Sequence, residues 1–316
     1  MKLNMYDAQQ ALGFLISQTS SIEAEVNKIQ YPDYNYAELV PVDTSASEWA
    51  KTVTFYTADR TGKASWLGGK ARDMALADVN RDKKEHSIHM AGIGYEYDLE
   101  ELGTAQMTGV NLGVDRADAA RETYEQFMYG LTMDGDTSKN MDGLKDYTGV
   151  SAANVAASGS GSSTYWADKT PDQILADVNT LLSGIWTDSL TVEIADTLLL
   201  PTAQFADIAT RRLTDSNGMT VLEFIQKANI YTAQTGQSLM IRGIRGLENA
   251  GASSKARMIA YKRDPKVLKL HIPMPHRFLP VWQDGPMNFL VPGVFRTGGL
   301  EIRRPGAVRY ADAIAA

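Results

Sequence analysis

The chain has no cysteine among its 316 residues, which excludes disulfide staples and thiolate metal sites. It also lacks any apolar run near the roughly 18 residues that a membrane-spanning helix needs. The apolar residues of the N-terminal stretch are interrupted by Asp7, Gln9, Gln10 and Gln18, so neither a signal peptide nor an anchor is read there. Cationic excess is missing as well. Lys and Arg number 31 against 38 Asp and Glu, a formal net charge of −7, and such a chain offers no global grip on a phosphate backbone. No GxxxxGK[ST] loop, GxGxxG turn after a strand, GxSxG elbow or HExxH helix occurs, which leaves no motif for phosphate cradling, nucleophilic catalysis or zinc hydrolysis. The nearest miss is DGDTSKNMDG at 134–143, whose Asp134, Asp136, Ser138 and Asn140 imitate the start of a calcium loop. Lys139 stands where glycine permits the sharp turn, and Lys145 where a bidentate glutamate should close the sphere. There are four histidines. His86 and His89 fall on opposite faces of a strand, and His271 and His276 lie among prolines, so they read as hydrogen-bonding or solvated side chains, not ligands. No catalytic residue, cofactor site or metal site is assigned.

What is present is a globular composition, 44% hydrophobic and 22% charged, in a chain long enough for two packed lobes. Residues 1–45 end in a segment rich in tyrosine, proline and small polar residues, in which Tyr31, Tyr34 and Tyr36 offer large apolar area with polar tips. Trp49, Val53, Phe55 and Thr57 alternate as in a half-buried strand. The charge-rich stretch 70–86 follows, and then Ile88 and Met90, with a shift of phase at Ala91-Gly92 to Ile93, Tyr95, Tyr97 and Leu99. Two strands around a charged segment predict a long projecting hairpin, and the phase shift predicts a bulge or bend at its base. A long helix is predicted over about 114–133, with Ala117, Ala120, Tyr124, Phe127, Met128 and Leu131 on one face. The Ser/Gly tract at 158–163 reads as a surface loop. Thr170 and Pro171 open a second helix, a core strand is read in LTVEIADTLLL, and helices in TAQFADIATRRL and VLEFIQKANI precede strands in SLMIRGI and ARMIAYKR. Alternation of strand and helix describes an α/β lobe. Prolines at 273, 275, 280, 286 and 292 restrict the strands beyond 264 to short or edge pieces.

This order of parts resembles a tailed-bacteriophage major capsid protein with the Hong Kong 97-type fold. The stretches that carry the resemblance are GLTMDGD and DGL after the long helix, DTLLLPTAQFADIATRRL, TVLEFI, ARMIAYKRDPKVLKLHIP and VPGVFRTGGLEIRRPGAVRYADAI. The resemblance implies an α+β fold made of an N-terminal arm (1–45), an E-loop hairpin (46–105), a peripheral domain with a long spine helix (106–133) and C-terminal strands (264–316), and an axial α/β domain (134–263). It implies self-assembly as hexamers and pentamers into an icosahedral shell around double-stranded DNA, with no catalytic residue to transfer. The implied partners are copies of the chain, a scaffolding protein, a portal and a decoration protein, with DNA as a weak non-specific neighbour and no membrane. Assembly is implied in the host bacterial cytoplasm. Because the sequence opens directly on the arm, the scaffold is expected to be a separate protein or none. Lys63, Lys70, Lys83 and Lys84 lie in the hairpin region, but no pattern for a covalent crosslink is read. An encapsulin-like compartment enclosing enzymes, and a stand-alone α/β enzyme, are the competing readings.

Candidate contacts between subunits are Tyr31, Tyr34 and Tyr36 of the arm, the acidic row Glu96, Asp98, Glu100 and Glu101, and the arginines Arg296, Arg303 and Arg304 of RTGGLEIRRP. Leu300 and Ile302 alternate with Glu301 and Arg303, so the strand is expected to point its charges outward, toward carboxylates of a neighbour. Ala91 and Gly92 are candidate hinges. Gly92→Val is expected to impair assembly while the isolated subunit still folds.

Overall fold

The computed structural model describes residues 34–64, 66, 76–98, 100–101, 112–213, 218–285 and 287–315. The chain divides into two units, Met1–Tyr34 and Asn35–Ala316, and every element below belongs to the second. It opens with one helical turn, α1 (Tyr36–Leu39), and β1 (Val42–Asp43). A hairpin follows, β2 (Thr52–Thr61) with β3 (Asp78–Ser87), then β4 (His89–Gly92), β5 (Tyr95–Asp98) and the long helix α2 (Leu112–Met133). Short strands β6 (Gly135–Asp136), β7 (Met141–Asp142) and β8 (Ser151–Asn154) lead to α3 (Pro171–Asp188), β9 (Thr197–Pro201), α4 (Thr202–Thr210), α5 (Val221–Ala228), α6 (Ile230–Thr235), β10 (Met240–Ile244) and β11 (Arg257–Tyr261). The remainder is strand: β12 (Leu268–His271), β13 (Met274–Phe278), β14 (Trp282–Gln283), β15 (Asn288–Val291), β16 (Gly293–Thr297), β17 (Gly299–Ile302) and β18 (Val308–Asp312).

A five-stranded sheet, ordered β10-β9-β11-β18-β8, separates two cores. Alternate side chains of a strand point to opposite faces, and the two cores divide the strands accordingly. Leu199 of β9, Ile259 and Tyr261 of β11 and Tyr310 of β18 face one core, which they share with Tyr124 and Met128 of α2 and Leu268, Leu270 and Leu300 of β12 and β17. Leu198 and Leu200, Met258 and Ala260 face the other, under α3, α4 and α5. A strand buried on both faces reads as a continuous apolar run, which is why TLLLP and RMIAY are buried throughout.

The helices begin where local chemistry starts them. Thr170 accepts from Gln173 N while the Gln173 side chain accepts from Thr170 N, and Pro171 sits at the first helical position, a complete capping box. Ile174, Val178, Leu181, Leu182 and Ile185 then form the buried stripe of α3. In α2 the stripe is Ala120, Tyr124, Met128 and Leu131, but Phe127 is 43% exposed. VLEFIQKANI is two helices, because Asn229 caps α6 by accepting from Thr232 N. LTVEIADTLLL is strand only from Thr197; before it, Leu190 and Thr191 take left-handed backbone conformations (φ 52° and 64°) that break an extended run.

Three expectations about the strands change. The charged stretch ending at residue 86 is largely the second strand of the hairpin, each residue of Asp78–Ser87 paired in register with Thr61–Thr52. Burial alternates without interruption from His89 to Asp98, with Met90 exposed and Ala91 inward; the phase slip falls at Ile88–His89, where one strand ends and another sheet begins, not at Ala91-Gly92. Finally, β18 lies between β11 and β8 in the five-stranded sheet, so the last strand of 264–316 leaves the short strands before it and returns to the central sheet. Tyr310 and Ala311 place β18 on both cores, which only the central sheet can satisfy.

Candidate functional site

The hairpin β2–β3 is long, solvated and rooted at one end. Among the described residues both faces of its outer part are exposed, and the partly buried positions are Val53, Phe55, Thr57 and His86. Isolated two-stranded hairpins are marginal in water, so the root fixes where this one points.

The root is held by the segment that sequence reading singled out for its arginines. Arg296, 6% exposed, donates from Nη1 to Glu48 O at 2.7 Å and lies 5.9 Å from the Trp49 ring, gripping the turn into β2. His86 of β3 donates Nε2–H to Gly298 O at 2.7 Å. A Cβ on Gly298 would stand 3.1 Å from the His86 ring and 3.2 Å from Ser87 O, so glycine here lets the strands approach. Arg303 lies 4.5 Å from the Phe55 ring of β2, a cation–π contact.

Beneath the root sits a buried charge cluster. Glu301 is 3% exposed; its Oε2 accepts from His271 Nε2 at 2.7 Å and from Arg303 Nε at 3.1 Å. His271 packs against His86 with ring centroids 5.2 Å apart and the rings tilted by 34°, and its Nδ1 is 3.7 Å from Asp43 Oδ2 of β1. Asp43 pairs with Lys269. Burial alone would raise the Glu301 carboxyl, but the His271 hydrogen bond and the Arg303 charge hold it below the ordinary value. His86 is held below the ordinary histidine value, first by burial, then by His271 and Arg303, which together outweigh Gly298 O and Glu301.

The candidates named from sequence therefore separate. Arg296 and Arg303 are engaged with the hairpin of their own chain, and Arg304 pairs with Glu193, which also holds Lys262 at 2.6 Å. Charges of β17 do not point outward, because its second face is covered by the hairpin root. Glu96, Asp98, Glu100 and Glu101 remain exposed, and they are not brought to the arginines of the tail. Instead Arg116 of α2 donates to both Glu101 oxygens at 2.8 Å and to Glu96 O, beside an open cleft of about 530 Å³ lined by Tyr95, Tyr97 and Asn288. Tyr36 is buried in α1, Tyr34 is partly buried, and Tyr31 lies outside the described residues. Burial raises the Tyr36 hydroxyl, with Tyr124 and Glu125 adding to it. Ala91 and Gly92 are paired with Phe295 and Val294, and a Cβ on Gly92 would stand 2.7 Å from Gly293 O. Sequence reading missed His86, His271 and Glu301; more than 180 residues separate His86 from its partners, and the one local sign of the contact is the glycine pair at 298–299.

A family model described as major capsid protein matches residues 62–314. A search of curated proteins finds no match. Among solved structures, the capsid of Myoviridae phage XM1 is similar with a TM-score of 0.76 at 18% identity, covering 94% of this chain and 97% of that one. The capsid of a native GTA particle gives 0.62 at 10% identity over 99% and 100%. The virus-like particle from Pyrococcus furiosus gives 0.51 at 15% identity over 88% and 94%.

Proposed function

The chain belongs to the major capsid protein family of tailed bacteriophages, structural proteins of the virion shell with the Hong Kong 97-type fold, and from that premise we propose that its copies assemble as hexamers and pentamers into a closed icosahedral capsid around double-stranded DNA. The observation that carries this reading is the family match over 62–314, and the rooted, solvated hairpin gives it a physical basis. Ten cross-strand pairs without a core of their own gain from lying on another copy. Exposed Tyr56 on the hairpin and Val281, Trp282 and Met287 around β14 supply apolar surface for such contacts. Exposed apolar patches of this kind mark interaction surfaces.

In this reading 1–45 is the arm, 46–105 the E-loop, 134–263 together with β18 the axial domain, and the rest peripheral. Glu96, Asp98, Glu100, Glu101 and Arg304 are the exposed charged candidates for contact with neighbouring copies, Glu101 while it holds Arg116 and Arg304 while it holds Glu193, with Tyr31 and Tyr34 of the arm. Arg296 and Arg303 serve the subunit's own hairpin. A portal and a decoration protein join the copies in the shell, assembly takes place in the host cytoplasm, and the subunit performs no catalysis. The net charge of −7 keeps DNA a loosely held neighbour. The family match favours a virion over an enzyme-filled compartment.

Size-exclusion chromatography with electron microscopy tests the proposal. Purified full-length protein is expected to form closed shells, alone or with its scaffold. A protein that stays in the small-oligomer range with scaffold and with crowding agents overturns it.

A further inference from the structure

The charges under the hairpin root balance only while both histidines are neutral. Asp43 and Glu301 contribute two anions, Lys269 and Arg303 two cations, and none is well exposed. Each proton added to His86 or His271 leaves an excess positive charge in a site where desolvated charge is costly.

The two rings are not equivalent. His271 keeps its Nε2–H on Glu301, and its Nδ1, which has no hydrogen-bond partner, lies 3.7 Å from Asp43 Oδ2. His86 has its Nε2–H on Gly298 O, so a second proton must go to Nδ1. The groups that face it are His271 from β12, Arg303 and Glu301 from β17, and the uncharged Val53 opposite it on β2. Arg303 is cationic, and the one anion, Glu301, is already shared by His271 and Arg303. A proton on His86 sets a second cation beside Arg303 in a partly buried place and so weakens its seat at the root.

We propose that the His86–Gly298 contact is an acid-operated catch, which seats the hairpin on β17 while His86 is neutral and releases it when His86 takes a proton beside His271 and Arg303. The lowered His86 pKa agrees in sign. The released state binds more protons, so seating is complete above the free-histidine value of about 6.5 and weakens as pH falls through it toward the lowered seated value. Arg296 on Glu48 O remains, so release loosens the root of the hairpin, where the Ile88 N–H meets Lys51 O at 2.8 Å and 84–87 pair with 52–55, and leaves the other sheets intact. This inference concerns a contact within one chain and holds whether or not shells form.

The test is hydrogen exchange on the unassembled full-length chain at about pH 8 and about pH 5.5, either side of the histidine range, corrected for the intrinsic pH dependence. Protection at 84–88 is expected to fall by up to about tenfold, because pH 5.5 lies about one unit below the free-histidine value, while that of β9 and β11 is unchanged. In His86→Gln, which keeps an N–H donor for Gly298 O and cannot titrate, protection at 84–88 is expected to be equal at both pH values. Equal protection of the wild type at both pH values, or an equal loss in His86→Gln, overturns the proposal. Should that variant not fold, NMR titration of the wild-type His86 ring decides. The catch requires a midpoint below that of an exposed histidine and coincident with the loss of protection, and a midpoint unrelated to that loss overturns it.

Discussion

At Glu301 the chain buries a carboxylate on a strand whose sequence alternates polar and apolar residues, and at Gly92 it uses a glycine for closeness where sequence pattern suggested freedom. Both are decided by what lies across from the residue. Glu301 is covered by the hairpin root and satisfied by His271 and Arg303, while Gly92 lies directly across from Val294 and close to Gly293 O. The expectation that Gly92→Val spares the subunit and harms only assembly is therefore revised. A side chain there strains the β4–β16 ladder, and the substitution is expected to destabilise the unassembled subunit by about 1–3 kcal/mol, the usual cost of overpacking. Urea unfolding measures it, with exposed Met90→Val as a control expected to stay within about 0.5 kcal/mol. An unfolding midpoint for Gly92→Val equal to the wild type's would restore the hinge reading.

Among the elements, the hairpin shows most clearly what a sequence pattern can carry. Its existence was legible from the alternation of Val53 and Phe55 and from the charged stretch after Gly68-Gly69, yet its second strand was hidden inside that stretch. Asp78–Ser87 has almost no buried position, so nothing in its hydrophobicity marks period two, and register comes from pairing alone. The long helix, the capped helix α3 and the doubly buried strands β9 and β11 were legible because burial on a fixed face writes a period into the sequence. The exposed Phe127, and Met90 among the strands, misled for the same reason reversed: they are apolar residues that keep much of their surface in water, although the Phe127 ring meets Phe295 edge-on at 5.5 Å. Since the hairpin is rooted by residues 52–55 and 84–87, its outer part is expected to be dispensable for folding and required between copies. Replacing 56–83 by a short Gly/Ser turn should shift the subunit's stability by less than about 1 kcal/mol, as surface changes do, and abolish shells in electron micrographs. Normal shells from the shortened chain would remove the hairpin from the assembly mechanism.

For the whole molecule, the two cores and their shared sheet were foreseeable as an α/β lobe beside a proline-punctuated β region, but the path that joins them was not. Proline positions restricted strands beyond 264 to short pieces, and β12 to β17 comply; the return of the chain to the central sheet is a long-range pairing that no local pattern encodes. Arg257 of β11 locks that return through a bidentate pair with Asp312, at 2.7 and 2.9 Å, both side chains nearly fully buried. The placement of β18 between β11 and β8 also sets a clock on synthesis. A ribosome delivers β8 and β11 well before the strand that must separate them, so the sheet stays split, with Tyr261 and Ile259 lacking part of their cover, until residues 308–312 emerge. Chains cut short before that point are expected to precipitate or be degraded, seen as loss of soluble protein when translation is stopped after residue 304, while full-length chains stay soluble. Soluble, folded chains ending there would show the sheet can close without its middle strand. A shell assembled from copies of one chain thus rejects an unfinished part before it can be built in.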